Sequence, residues 1–219
     1  VGDSPRGILS LQSRLWVTNL DGTVSRLTSA GVNRGTFVTG NQPADLLEQD
    51  GDIWVAYAGN QTVSRLGQYG TSKEDFIVGG VPRALAFDGA NYWVADFDSF
   101  SVRKLAPDGT LLGIFGVLQK PVSLSFDGVG IWVAGFEGSI VSRLSLDGQA
   151  LGTFPVGVGP SEVLFDGRFV WAADRGQQTV TKLAIEGQAL AAYEVGREPA
   201  ALAFDGTALW VANFRDDTV

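Results

Sequence analysis

Pro82-Arg-Ala-Leu-Ala-Phe-Asp-Gly89, Tyr92-Trp-Val-Ala-Asp96, Val102-Arg-Lys-Leu105 and Gly113-Ile-Phe115 follow one another as four short apolar segments separated by Asp-Gly or Gly-containing turns. Short runs rich in Val, Leu and aromatics with turn signals at regular spacing read as strands, and helical periodicity is absent. The Trp in the second segment is one of six. Trp16, Trp54, Trp93, Trp132, Trp171 and Trp210 lie 38, 39, 39, 39 and 39 residues apart, and Pro5, Pro43, Pro82, Pro121, Pro160 and Pro199 keep step with them. A period of about 40 residues with strand patterning marks a β-propeller, with one four-stranded blade per repeat. The chain is therefore expected to be all-β, a six-bladed propeller of 39-residue blades forming a single domain over residues 1–219. Repeats start near residues 3, 41, 80, 119, 158 and 197, and the sixth blade is incomplete.

Each blade is expected to run a, b, c, d: strand a after the Pro, b with the Trp, c with the Val-Ser-Arg-Leu pattern, d with the column Phe37, Phe76, Phe115, Phe154 and Tyr193. Leu85 and Phe87 alternate with Ala84 and Ala86, so both faces of strand a are apolar or small, as a sheet covered on both sides requires. The Trp and Phe columns are then packing between blades, with a carbohydrate-stacking platform as the alternative for the Trp. Asp-Gly pairs beginning at 88, 127, 166 and 205 turn strand a into b, and Gly31, Gly70, Gly109, Gly148 and Gly187 turn c into d. The first two repeats depart from this, with Leu11-Gln12 and Glu48-Gln49-Asp50-Gly51. The basic column Arg26, Arg65, Lys104, Arg143 and Lys182 is expected to pack its stems on the neighbouring blade and pair its heads with surface carboxylates. Val1-Gly2 aligns with the end of a strand d and Thr218-Val219 with the start of a strand c, and the chain is expected to be part of something longer.

Composition narrows the function classes. A net charge of −8 argues against nucleic acid and anionic membranes as partners, because both need a basic surface. No apolar run approaches the ~18 residues of a membrane span. The chain has no Cys, which removes disulfides and thiolate metal sites, and no His, which removes every nucleophilic triad built on either residue.

The pattern Phe-Asp-Gly-x-x-x-Trp-Val-Ala-Asn/Asp followed by Thr-Val-x-Arg-Leu resembles the bacterial propeller repeats of the NHL, YVTN and streptogramin (virginiamycin B) lyase group, over essentially the whole chain. The resemblance implies a propeller fold, an extracytoplasmic location and, in one branch, metal-assisted lyase activity. That branch uses a histidine base with a magnesium ion, and no residue here matches the histidine.

Carboxylate chemistry survives the loss of His. The candidate acids are Asp45, Glu48 and Glu162 near strand a, and Asp96, Asp98, Asp216 and Asp217 in the b–c loops. Asp45 and Glu162 share the position two residues after Pro. Asp96-Phe-Asp98 opens like a calcium loop but lacks the Gly and terminal Glu such a loop needs. No metal or other cofactor is expected. The position four after Trp varies instead: Leu20, Ala58, Phe97, Phe136, Arg175 and Phe214, on the same face as d–a loops that carry Arg83, Lys120, Arg197 and Glu198. Phe97, Phe136 and Phe214, with Arg83, Arg197 and Arg215, form the candidate binding site, since aromatic and Arg side chains dominate interface hot spots. The alternative is that each Phe folds back on its own blade. The leading expectation is a non-enzymatic binding or scaffold propeller presenting this face to a protein or glycan. The alternatives are a metal- or carboxylate-dependent lyase or hydrolase at the channel mouth, and a ligand-sensing domain of a larger receptor.

Overall fold

The computed structural model describes residues 2–11 and 14–219. Among these there are 22 strands and no helix. The first sheet holds β1 (Pro5–Leu11), β2 (Arg14–Asn19), β3 (Thr23–Thr28) and β4 (Asn33–Val38). The second holds β5 (Pro43–Gln49), β6 (Asp52–Tyr57), β7 (Thr62–Leu66) and β8 (Ser72–Ile77). The third holds β9 (Pro82–Phe87), β10 (Tyr92–Asp96), β11 (Ser101–Leu105) and β12 (Leu111–Gly116). The fourth holds β13 (Pro121–Phe126), β14 (Gly130–Gly135), β15 (Ile140–Ser145) and β16 (Ala150–Pro155). The fifth holds β17 (Pro160–Phe165), β18 (Val170–Asp174), β19 (Thr179–Leu183) and β20 (Ala189–Glu194), and β21 (Pro199–Phe204) pairs with β22 (Leu209–Asn213) in a two-stranded sheet. Each four-stranded sheet is ordered as the chain runs, so this is a six-bladed propeller with an incomplete last blade. Contacts divide the chain into one unit of Val1–Ser99 with Arg103–Leu112 and a second of Phe100–Val102 with Gly113–Val219.

Proline begins every first strand, where its missing N–H costs no ladder bond. The ladder slips just after it: Pro121 faces Gly135 but Ser123 faces Ala134, and the same shift occurs at Pro43/Asp45 and Pro160/Glu162. These bulges re-aim the side chain two residues after the Pro.

The turn from the first strand to the second is locked by one carboxylate. Asp127 Oδ1 accepts the Val129 and Gly130 amides at 2.8 and 2.7 Å, and Oδ2 accepts Trp132 Nε1 at 2.6 Å. Asp88, Asp166 and Asp205 repeat this with Trp93, Trp171 and Trp210 at 2.8, 2.7 and 2.8 Å. The next residue, Gly128, has φ 92° with no neighbour within 4 Å of an added Cβ, so backbone conformation alone demands glycine there. Burial by itself raises the Asp88 pKa, but the Trp93 indole, the Asn91 and Ala90 amides and Lys104 outweigh it and hold Asp88 below the usual range. The basic column completes the unit, though with a different partner from the one expected. Arg143 pairs with buried Asp127 at 2.6 Å and lies over Trp132, and Lys104 sits 3.7 Å from Asp88 and over Trp93. The heads thus pair with the turn carboxylate, not with surface acids. The first repeat has no such Asp, and its Gln12 lies outside the described residues; Trp16 Nε1 is buried without a hydrogen bond among them. In the second repeat Asp52 pairs with Arg65 at 2.6 Å.

Adjacent sheets interlock through the other glycine column. A Cβ on Gly70, Gly109, Gly148 or Gly187 would run into the ring of Phe37, Phe76, Phe115 or Phe154 in the preceding sheet, so each fourth-strand Phe docks where only glycine leaves room. The same Phe rings cover the Trp column: Trp54 and Phe76 stack 5.4 Å apart, and Trp132 and Phe154 sit at 5.1 Å. The expectation that every Trp is buried holds for Trp16, Trp54, Trp93 and Trp132, whereas Trp171 is half-buried and Trp210 is 51% exposed. The reason is local: among the described residues the β21–β22 sheet has neither a third strand to cover Trp171 nor a fourth to cover Trp210. Trp132→Ala should therefore cost ~3–5 kcal/mol by cavity formation, while Trp210→Ala should cost ~1 kcal/mol or less, as exposed positions do. Urea denaturation of the two variants checks this contrast.

Candidate functional site

Each first strand has an edge facing away from its own sheet, and the amides there need acceptors. The bulged position supplies them. Asp45 Oδ2 accepts Leu85 N at 2.8 Å, Ser123 Oγ accepts Val163 N at 3.2 Å, and Glu162 Oε2 accepts Leu202 N at 2.9 Å, each reaching the next sheet's first strand. Gly7 holds this position in the first repeat and has no side chain to offer. Asp45 makes good the loss by accepting its own neighbour, Leu46 N, through Oδ1 at 2.8 Å. One carboxylate thus serves two strand edges. Its side chain is partly exposed, yet the protein packed around it disfavours the charge, and desolvation overrides both amide donors to raise its pKa from 3.8 to about 6. Asp45 and Glu162, grouped by sequence as candidate acids, are both structural acceptors, and Asp45 is in addition poised to titrate near neutrality.

The variable column lies just past the end of the second strands, beside the prolines that begin the first strands. Its amide bonds the carbonyl before the Pro in every sheet, as Phe97 to Val81 at 3.0 Å, Phe136 to Lys120 at 2.9 Å and Phe214 to Glu198 at 3.0 Å. The b–c and d–a loops therefore share one end of each blade. In the first unit Arg83 lies over the Phe97 ring at 5.0 Å, and both are half-buried. Burial and nearby Arg6 lower the Arg83 pKa. In the second unit Phe136 is 40% and Phe214 69% exposed. Arg197 pairs with Asp216 at 2.5 Å, Arg215 approaches Glu198 at 3.4 Å, and Arg175 binds Glu198 at 2.6 Å while stacking on Phe214 at 5.9 Å. The Arg175 hydrogen bond, with the surrounding guanidinium charges, holds the Glu198 pKa low. The structure thus gathers Phe214, Arg197 and Arg215 around two carboxylates and pairs Phe97 with Arg83. Such exposed ion pairs contribute little to stability.

Two buried carboxylates went unremarked as structural groups in the sequence. Asp96 accepts Arg103 at 2.7 Å and the Val81 amide at 2.9 Å, and those bonds hold its pKa low against desolvation. The signal was present: Arg103 stands where other third strands have Ser25, Ser64, Ser142 and Thr181. Asp174 is wholly buried, bonded to Thr181 at 2.6 Å and Thr179 at 3.1 Å, with Oδ1 lacking a hydrogen bond, and burial raises its pKa. Among the described residues no group of three or more carboxylates converges as metal ligands. Asp96-Phe-Asp98 is no exception, because Asp96 is already committed to Arg103.

No protein-family model matches the chain, and no curated protein matches it in sequence. Solved structures match it closely in fold. A catalytically inactive His-to-Ala variant of virginiamycin B lyase from Staphylococcus aureus, solved with quinupristin, superposes with TM-score 0.83 at 19% identity, covering 96% of this chain and 78% of its own. A streptogramin B lyase gives 0.69 at 16% identity over 97% and 92% of the two chains. The computationally designed Ika8 protein gives 0.78 at 17% identity over 98% and 69%. The resemblance read from the repeat is thereby borne out for the fold. The expectation of a non-enzymatic binding scaffold is corrected: enzymes named as lyases are among the propellers that share this architecture over nearly the whole chain, at 15–19% identity. The expectation had weighed the lack of any residue matching the lyase branch's histidine above the carboxylate-dependent alternative.

Asp45 makes stability pH-dependent. Its folded-state pKa of about 6 exceeds the ordinary 3.8, so between these values the folded chain holds the extra proton and stability falls as pH rises. Asp45→Asn keeps an acceptor for Leu85 N and should remove this downward slope, read as urea midpoints across that pH window. At the loop end, Phe136→Ser with Phe214→Ser should leave the urea midpoint within ~1 kcal/mol of the parent, the norm for surface positions.

Proposed function

We propose that this chain is a lyase-like propeller whose acid–base group is Asp45, acting without histidine and without a metal step. The observation that carries the reading is the pKa of Asp45, lifted to about 6 on a partly exposed first strand of a fold shared with lyases. A general base works best with a pKa near the operating pH and must be reachable by substrate. Asp45 meets the first condition, while Glu198 and Asp216, held low by arginines, are poor bases.

A lyase breaks a bond by elimination. The ionised Asp45 carboxylate takes a proton from carbon, the C–H electron pair becomes the new double bond, and the leaving group departs with its own pair before taking up a proton. The Leu46 and Leu85 amides hold the carboxylate in place during this transfer, each using one lone pair and leaving others for the proton. The probe substrate is quinupristin, the compound solved with the structurally similar lyase.

Incubation with quinupristin, followed by chromatography and mass spectrometry, tests the reading. Elimination products that together have the substrate's mass are expected, formed equally in magnesium and in EDTA. Asp45→Asn should lower kcat by ~10²-fold or more, the scale of general-base catalysis, with folding retained. Products heavier by one water would identify a hydrolase, and turnover unchanged in the Asp45 variant would remove Asp45 from the reaction.

A further inference from the structure

In the third, fourth and fifth sheets one carboxylate stands between the Trp and the cation across from it. Asp127 Oδ2 takes both the Trp132 indole N–H and a guanidinium nitrogen of Arg143, each at 2.6 Å. Asp88 joins Trp93 to Lys104 in the same way, at 2.8 and 3.7 Å. Asp166 accepts Trp171 at 2.7 Å, and Lys182 lies over that ring. The second sheet sets Asp52 against Arg65.

The first sheet keeps the donors and lacks the acceptor. Trp16 faces Arg26 across β2 and β3 as Trp132 faces Arg143 across β14 and β15. Arg26 lies over its Trp at 5.9 Å, and Arg143 over Trp132 at 5.4 Å. Even the anchor is shared: Nη1 of each guanidinium donates at 3.1 Å to a carbonyl of the next sheet, Gln68 for Arg26 and Ile185 for Arg143. The residue five before the Trp is Asp88, Asp127, Asp166 or Asp205 in the last four repeats, and Leu11 in the first. Trp16 is wholly buried, and its Nε1 has no hydrogen bond among the described residues. Arg26 Nη2, whose counterpart binds Asp127, has only the Arg34 carbonyl at 3.4 Å.

The neighbouring turn brings no acid either. Tyr69 stands where later repeats have Asp108, Asp147 and Glu186, and its exposed ring lies 5.6 Å from Arg26 and 5.8 Å from Arg14. All these residues belong to the first unit, and neither arginine is fully buried. We propose that Trp16 and Arg26, with Arg14 beside them, bind the carboxylate group of a small anion, which takes the place that Asp127 fills from within the chain. One carboxylate oxygen accepts both Trp16 Nε1 and Arg26 Nη2, as Asp127 Oδ2 does for its pair. A buried donor without an acceptor is destabilising, so the bound oxygen stabilises the fold as well as holding the ligand. The site is separate from the chemistry assigned to Asp45.

Nitrogen-15 NMR of the indole N–H groups during a titration with sodium acetate tests the proposal, with the Trp16 signal assigned by Trp16→Phe. A saturable shift of that signal is expected, together with a melting temperature that rises with acetate. Sodium chloride at equal ionic strength should do neither. Arg26→Gln should weaken acetate binding about tenfold or more, as loss of a charged hydrogen bond does. Leu11→Asp supplies the carboxylate from within, and should melt above the parent and no longer respond to acetate. A Trp16 signal that stays fixed as acetate approaches molar concentration overturns the proposal. So does an equal shift in chloride, undiminished binding by the Arg26 variant, or full acetate binding by the Leu11 variant.

Discussion

An antiparallel sheet of four strands leaves two rows of amides and carbonyls unpaired, one on each outer edge. Here the edge of the first strand lies against protein, so its amides must find acceptors within the molecule. The solution is a bulge after the proline, which turns one side chain per repeat toward the neighbouring sheet. Asp45, Ser123 and Glu162 use it to bind the amides of Leu85, Val163 and Leu202. Proline, bulge and acceptor form a single device, and the packing of Trp and Phe between sheets requires the register it sets.

The same device generates the functional reading. An uncharged Ser does the job in one repeat, so a carboxylate is not needed for the amide bond. Where the acceptor is Asp45, placing a carboxylate among packed first strands disfavours its charge and moves its titration toward neutrality. At the opposite extreme, Asp88, Asp96 and Asp166 receive enough donors and positive charge to stay low despite burial. Environment, not residue type, separates the carboxylate raised toward neutrality from those held low.

Repetition made the fold legible. Trp, Pro, Asp-Gly and the turn glycines recur in step, so strand order and blade count followed from spacing alone. The partners of the repeated residues were less visible. The spacing places Arg143 in a column but does not say that Asp127, sixteen residues earlier in the chain, is its partner across a strand pair. The site was legible only in part. Asp45 was visible as a carboxylate in the acceptor column, but its raised pKa comes from burial that outweighs the lowering effect of the Leu85 and Leu46 amides, which is a three-dimensional consequence. Phe214 and Arg215 were legible as variable loop residues. Their gathering with Arg175 and Glu198 required the bond that ties each b–c loop to the carbonyl before the proline.

Asp45 ties the strand-edge constraint to the chemistry, and its ionisation can be observed directly. Carbon-13 NMR of the side-chain carboxyls, assigned by comparison with Asp45→Asn and followed through a pH titration of the folded protein, reports that one group. A midpoint near 6 is the predicted result. A midpoint at or below the ordinary 3.8 would contradict the account, because a carboxylate so acidic is held by its donors alone and is no base at neutral pH.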